Sequence, residues 1–296
     1  MTLKPVTRTG DVLLICQLTD FHVCPIGLAS NRMVETNMLT ERALRAVAAF
    51  VPRPDVLLIT GDLAENGLAA EYSLIADMLR RHMTIPVYVI PGNHDRRDTF
   101  RAGLSHFPGV MTDPGFVQYV IDDFPVRIIM LDTVVPDAAY GELCTSRLAF
   151  LDRILAAAPH RPTLIGMHHP PFACGIVVLD AINLRNAKAF AAVIGHHPQV
   201  RRIISGHHHR PVVAQVAQAV ASICPSVAHQ PILDLTPANQ TPEVVDQGYF
   251  VMEPAAYQIH RWTSADGFVS HTGYVESYPG PFPYLGGIDP ADENND

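Results

Sequence analysis

The chain has 296 residues and a formal net charge of -8, from 21 Lys and Arg against 29 Asp and Glu, with 48% hydrophobic and 17% charged residues. Such a balance supports a large buried core and excludes a disordered or polyelectrolyte chain; the length fits one α/β core with an appendage. No Lys/Arg run supplies a basic face, which argues against a long polynucleotide as partner. The opening MTLKPVTRTG has no apolar signal core, and no apolar stretch approaches the roughly 18 residues a membrane helix needs. Five scattered cysteines, odd in number and without a C-x-x-C, read as thiols in a reducing compartment, so a cytoplasmic location is expected.

In chain order, Val12 to Leu18 is a buried apolar run ending at Thr19-Asp20, read as a strand. Met33 to Phe50 carries helical spacing and stops before Pro52 and Pro54. Asp55 to Thr60 is a second strand, Ala70 to His82 a helix and Pro86 to Ile90 a third strand. Phe116 to Asp122 and Val126 to Leu131 read as adjacent strands, and Cys144 to Ala157 as a helix. The strand Thr163 to Met167 runs into two histidines, Leu184 to Ile194 is helical, and the strand Val200 to Ser205 ends at three histidines. Alternation of this kind gives a layered α/β fold with two sheets flanked by helices. From Pro211 the pattern loosens, although Tyr249 to Met252, Ala256 to Trp262 and Gly267 to Val275 are strand-like. The expected division is a catalytic domain over 1–211, a cap or oligomerisation segment over 212–262, and a returning strand with an irregular tail over 263–296.

Five signals follow five predicted strands: Asp20-Phe21-His22, Gly61-Asp62, Gly92-Asn93-His94-Asp95, His168-His169-Pro170 and Gly206-His207-His208-His209. Singly, each reads as a turn, a strand stop or a solvated loop. Together they lie at the sheet edge where α/β proteins place ligands. In an extended D-x-H, residues i and i+2 point to one side, so Asp20 and His22 can share an ion, and His207 and His209 stand in the same relation. The Asp62 carboxylate can bridge ions about 3.5–4 Å apart. Asn93 adds a neutral oxygen and His168 an imidazole. These N and O donors, with no thiolate, suit two divalent ions of Mn, Fe, Zn or Co.

The series resembles the calcineurin-like metallophosphoesterase superfamily, with its D-x-H, G-D, G-N-H-[DE], His and G-H-x-H over Asp20 to His209. Within it the chain is most similar to class III cyclic-nucleotide phosphodiesterases and bacterial glycerophosphodiesterases. Pro225 to Gln230 and Tyr257 to Arg261 are similar to that subgroup's cap region. The resemblance implies a four-layer α-β-β-α sandwich with a small C-terminal cap. It also implies one ion on Asp20, His22, Asp62 and His209, and a second on Asp62, Asn93, His168 and His207. His169 is then a supporting residue, and His208 points away. Two cations acidify a water for in-line attack and neutralise phosphate oxygens. His94 is placed to stabilise the developing charge or protonate the leaving alkoxide, with Asp95 orienting its ring. Asn93, His94 and His229, the last from the cap, are expected to meet substrate, whereas Arg96 and Arg97 read as a solvated pair. The expected activity is hydrolysis of small phosphodiesters, either 3′,5′-cyclic nucleotides or glycerophosphodiesters, by a homo-oligomer assembled through the cap. No membrane or nucleic-acid polymer is expected as partner. A phosphomonoesterase or protein phosphatase stays open as an alternative, ahead of a nuclease or a scaffold without metals.

Overall fold

A computed structural model describes residues 12–236 and 249–279. The apolar runs become β1 (Leu13–Leu18), β2 (Val56–Thr60) and β3 (Val87–Ile90), interleaved with α1 (Thr36–Ala49) and α2 (Ala69–His82) and followed by α3 (Arg97–Leu104). The second half of the domain holds β4 (Tyr119–Ile121), β5 (Arg127–Met130), α4 (Thr145–Ala156), β6 (Thr163–Gly166), α5 (Val177–Asp180), α6 (Ala187–Gly195) and β7 (Val200–Ser205). After it come β8 (Val212–Val216), β9 (Ala219–Ile223), β10 (Gln230–Pro231), β11 (Phe250–Val251), β12 (Ala256–Thr263) and β13 (Gly267–Tyr274).

One sheet runs β13-β12-β1-β2-β3 and the other β4-β5-β6-β7-β9-β8. The central pairs β1–β2–β3 and β5–β6–β7–β9 are parallel; β4, β8, β12 and β13 join antiparallel at the flanks. Parallel sheets must be covered on both faces, and the alternation of strand side chains shows how. Ile128, Met130, Leu164 and Ile204 pack in one core with the first sheet and helices α1 to α3. Their strand neighbours Ile129, Leu131, Ile165, Met167 and Ile203 pack with α4 and α6 in a second core. The layers are therefore helix, sheet, sheet, helix, as expected.

Polar side chains bridge the sheets beneath the strand ends. Gln17 Nε2 donates to Thr60 Oγ1 at 2.8 Å and to the Ser205 carbonyl at 3.0 Å. His260 Nε2 meets Gln17 Oε1 at 3.1 Å, and the Ser222 hydroxyl donates to Gln258 Oε1 at 3.1 Å. All of these side chains are buried, so the network fixes the register of one sheet over the other at the edge where the motif loops emerge.

The structure redraws the expected 212–262 segment. Its first part, β8 and β9, is a hairpin in the six-stranded sheet, and its last part, β12, pairs with β1. β8 is short and half-exposed, set between Pro211 and the turn at Ala217-Gln218, and it is its pairing with buried β9 that makes it a strand. Between β9 and β12 only the small β10–β11 sheet lies outside the sandwich among the described residues. Residues 237–248 of that expected segment, and the irregular tail from Gly280 on, lie outside the described residues. Among the described residues no helix is long and apolar enough to cross a membrane.

Candidate metal centre

The five motif loops meet at one edge of the two sheets. Asp20 and His22 follow β1, Asp62 follows β2, Asn93 and His94 follow β3, His168 follows β6, and His207 and His209 follow β7. Asp20, His22 and His209 bring donor atoms within 4.8 Å of one another, as do Asp20, Asp62 and His168.

The extended D-x-H geometry expected from the sequence does not occur. Asp20, His22, Asp62, His207 and His209 all have positive φ, between 49° and 71°. Regular strand pairing has ended by Leu18 and Ser205, and left-handed turns bend the loops back over the sheet edge. A left-handed non-glycine residue carries strain of about 1 kcal/mol or more. Backbone bonds hold these turns: Asp20 N–H donates to the Gly61 carbonyl and His22 N–H to the Asp62 carbonyl, both at 3.0 Å. The His207 N–H donates to the Asp20 carboxylate at 3.0 Å. Two motif glycines have a steric reason. A Cβ on Gly61, whose φ is +101°, would sit 2.3 Å from His168 Nδ1, and one on Gly92 would sit 2.2 Å from Asp62 Oδ1.

Proton positions on the imidazoles follow from their partners. His22 Nδ1 lies 2.8 Å from the Glu65 carboxylate, His209 Nδ1 2.7 Å from the His229 carbonyl, and His168 Nδ1 2.8 Å from the Thr60 carbonyl. Each partner only accepts, so each Nδ1 carries the hydrogen and each neutral Nε2 presents a lone pair. Yet His22 Nε2 and His209 Nε2 face each other at 3.1 Å. His168 Nε2 likewise faces Asn93 Oδ1 at 3.1 Å and Asp62 Oδ2 at 3.2 Å. Acceptors opposed this closely in a buried site need positive charge between them, supplied by a proton on one ring or by a cation. The donor set thus fits divalent cations, and the distal N–H bonds to carboxylate and carbonyls are those that orient ligating histidines. His207 Nε2 donates to the Ile182 carbonyl at 3.0 Å, leaving its Nδ1 as the donor atom.

Charge balance in the cluster is the same logic seen through acidity. Burial alone would raise the Asp20 and Asp62 carboxyls, but His209 beside Asp20 and His168 beside Asp62 hold them below the usual carboxylate range. Burial would lower His168, and the Asp62 charge reverses this and pushes it up to about 9, so without a cation its Nε2 takes up a proton, the charge that a bound ion would replace.

His169 has no lone pair to offer. Its Nε2 donates to the Ala139 carbonyl at 3.2 Å, so its Nδ1 accepts the Thr133 hydroxyl at 2.7 Å. Asp95 is not the orienter of the His94 ring. Its oxygens take the backbone N–H groups of Leu63, Ala64 and Gly92 and the Tyr72 hydroxyl, tying two motif loops together. The Glu65 carbonyl holds His94 Nδ1 instead, at 2.9 Å. Arg97 is not solvated either: it forks onto Asp132 at 2.7 and 2.9 Å. Arg96 is exposed. His229 stands over the cluster, its ring 4.9 Å from that of His209 and 5.8 Å from that of His22, with a buried Nδ1 that has no partner. Glu65 is the residue that sequence reasoning missed. It falls three positions after Asp62, and the carboxylate in that short loop was the available signal.

Residues 13–211 match the family model described as calcineurin-like phosphoesterase. The chain is 30% identical over 273 residues to a probable glycerophosphodiester phosphodiesterase of Arcobacter nitrofigilis, covering 92% of this chain and 97% of that protein. It is 35% identical over 254 residues to a probable cyclic nucleotide phosphodiesterase of Rhodopseudomonas palustris, covering 82% and 90%. A crystal structure of a dimetal phosphatase from Danio rerio superposes with a TM-score of 0.60 at 16% identity, over 90% of this chain and all (100%) of that one; at such identity the likeness concerns the fold.

Glu65→Gln tests the tautomer argument. The amide no longer fixes the His22 Nδ1–H, and divalent-ion affinity, read by competition with a chelator, should fall about 10- to 100-fold while the fold is retained. Unchanged affinity would show that Glu65 does not orient a ligand.

Proposed function

The chain belongs to the calcineurin-like phosphoesterase family, and from that premise we propose that it hydrolyses small phosphodiesters, cyclic nucleotides or glycerophosphodiesters, at the cluster between Asp20 and His209. It is a metal-dependent phosphodiesterase. We assign one ion to Asp20, His22, Asp62 and His209 and the other to Asp62, Asn93, His168 and His207, with Mn, Fe, Zn or Co as the candidate metals. The observation that carries this assignment is the opposition of bare ring nitrogens, His22 to His209 at 3.1 Å, which a shared cluster of cations resolves. Two such ions, when bound, supply Lewis-acid charge for the phosphate oxygens and lower the pKa of water.

The residues of the chain provide the rest. Asp62 spans the two halves: its Oδ2 faces His168 at 3.2 Å and His22 at 3.8 Å, while the His94 N–H donates to its Oδ1 at 2.9 Å. That bond sets the position of His94. With Nδ1–H committed to the Glu65 carbonyl and the side chain 38% exposed, the Nε2 end of His94 is the one that meets substrate. A proton delivered to the departing alkoxide must come from that nitrogen, so the acid is the imidazolium.

Diester selectivity is assigned to the surroundings. Arg97, which could have gripped a dianion, is held by Asp132, and Arg101 is occupied by the Phe116 carbonyl at 2.8 Å. His229, with its unpartnered Nδ1, is placed to contact the second substituent of a diester. Binding that substituent aligns the phosphorus for attack, so its contribution appears in the rate.

The stretch around β10 and β11 exposes Leu233 (66%), Leu235 (60%), Tyr249 (58%) and Met252 (59%). We assign this apolar surface to self-association in the cytoplasm, as a cap shared between copies.

Three measurements bear on these assignments. His94→Ala should slow alkyl phosphodiesters by about 10²- to 10⁴-fold and bis(p-nitrophenyl) phosphate by less, because an aryl leaving group needs little protonation. Equal losses on both would remove the acid role. Specificity constants for cyclic AMP, glycerophosphoethanolamine, bis(p-nitrophenyl) phosphate and p-nitrophenyl phosphate, under one metal condition, should place a diester first; a monoester at the top would overturn the diester assignment. Sedimentation velocity at micromolar concentration should show an oligomer, and a monomer would refute the shared cap.

A further inference from the structure

A second donor cluster lies on the far side of the histidine loop. Cys174 Sγ, an Asp180 carboxylate oxygen and a His208 ring nitrogen lie within 4.8 Å of one another. His208 occupies the variable position of the G-H-x-H motif, and its side chain is fully buried with neither ring nitrogen hydrogen-bonded. The Leu179 carbonyl faces the ring without a bond of good geometry. A buried imidazole with two idle nitrogens is unfavourable by roughly 1–3 kcal/mol for each missing bond, and an apolar side chain would have filled the space more cheaply.

The carboxylate opposite is held in place. Asp180 accepts the N–H of Cys174 at 2.7 Å, the N–H of Gly175 at 2.9 Å and Asn183 Nδ2 at 3.2 Å. Asn183 Oδ1, on that same amide, is also buried without a partner. Three of the usual zinc donors, S, N and O, therefore converge on a pocket with unmet bonding capacity.

We propose that Cys174, Asp180 and His208 form a third metal site, separate from the dinuclear centre and selective for a borderline transition cation such as Zn²⁺. Tetrahedral zinc with bonds of about 2.0–2.3 Å holds its donors roughly 3.3–3.8 Å apart, so the cluster closes by about 1.5 Å at most. A thiolate donor distinguishes it from the N/O centre, and excludes Mg²⁺ and Ca²⁺ as occupants. Binding forms the sulfur–metal bond and releases the Cys174 proton to solvent. Burial first, with the Asp180 charge adding to it, pushes that thiol up to about 11, so without a cation the proton stays on and the site is silent.

The position gives the site a task. Between Cys174 and Asn183 the chain carries α5 and Ile182, whose carbonyl accepts the His207 Nε2–H at 3.0 Å. An ion joining Cys174 and Asp180 to His208 pins that segment to the histidine loop and so fixes the orienter of His207. This consequence rests on the phosphodiesterase reading; the ion itself does not.

The test uses the full-length protein, stripped of metal and titrated with Co²⁺. None of the seven ligands assigned to the dinuclear centre is a thiolate, so a thiolate-to-cobalt charge-transfer absorption in the near ultraviolet reports the third site alone. The wild type should develop the band, and Cys174→Ala should lose it together with one bound equivalent. Cys174 is only partly buried, so this variant is expected to fold, and Cys144→Ala should retain the band as a control for the other partly buried thiol. Absence of the band in the wild type, or its persistence in Cys174→Ala, would overturn the proposal. A wild type that shows the band but binds a single equivalent in total would uphold the third site and overturn the dinuclear assignment.

Discussion

The constraint on which this molecule turns is where the imidazole protons are. Three histidines are pinned at Nδ1 by groups that only accept, and their Nε2 lone pairs are thereby aimed into a space already occupied by two carboxylates. In water such a gathering would disperse; in a buried site, where electrostatic interactions are stronger, it has to be neutralised from within. The pinning acceptors come from distant parts of the chain: Glu65 after β2, the Thr60 carbonyl at its end, and the His229 carbonyl beyond β9. The donor geometry is consequently a property of the whole sandwich and not of any one loop.

That dependence explains the polar seam between the sheets. Gln17, Thr60, Ser205 and His260 lie directly behind residues that lead into the motif loops, and their bonds would be an expensive way to fill a core if packing were the only need. Hydrophobic side chains tolerate sliding, whereas a bidentate glutamine between two strands does not. The seam holds the end of β1 against the end of β7, which is what lets the His207 N–H reach the Asp20 carboxylate across 187 positions of sequence.

What the sequence disclosed follows the same division. Apolar runs announced β1, β2, β6 and β7 because central parallel strands are buried on both faces, and the loop motifs announced the donors because metal ligation is written in side-chain types. The left-handed backbone at Asp20, His22 and His207 was not legible, since a D-x-H reads equally well as an extended segment. Orienting carbonyls were invisible for a simpler reason: every residue has one, and only the fold selects Thr60, Ile182 and His229. Asp95 was assigned to its sequence neighbour His94, yet a carboxylate beside three free N–H groups and a tyrosine hydroxyl binds those first. The hairpin of β8 and β9 escaped although both strands are mostly apolar, because two five-residue runs joined by a turn are too short to fix a period.

Strain and neutralisation together decide which state of the centre the fold prefers. Five of the seven assigned ligands sit in left-handed conformations, each unfavourable by about 1 kcal/mol or more, and the opposed lone pairs add repulsion. Set against a net folding stability of about 5–15 kcal/mol, that is a substantial fraction to place at one edge of one domain. A cation that binds only the folded arrangement returns stability as RT ln(1 + [L]/Kd), about 2.7 kcal/mol at a hundredfold excess over Kd. The backbone turns therefore hold the donor atoms converged, within 4.8 Å of one another in each group, before any ion binds. Preorganisation of that kind serves catalysis as well, because the groups that would stabilise the transition state are already fixed by the β1, β2 and β7 ends before any substrate arrives.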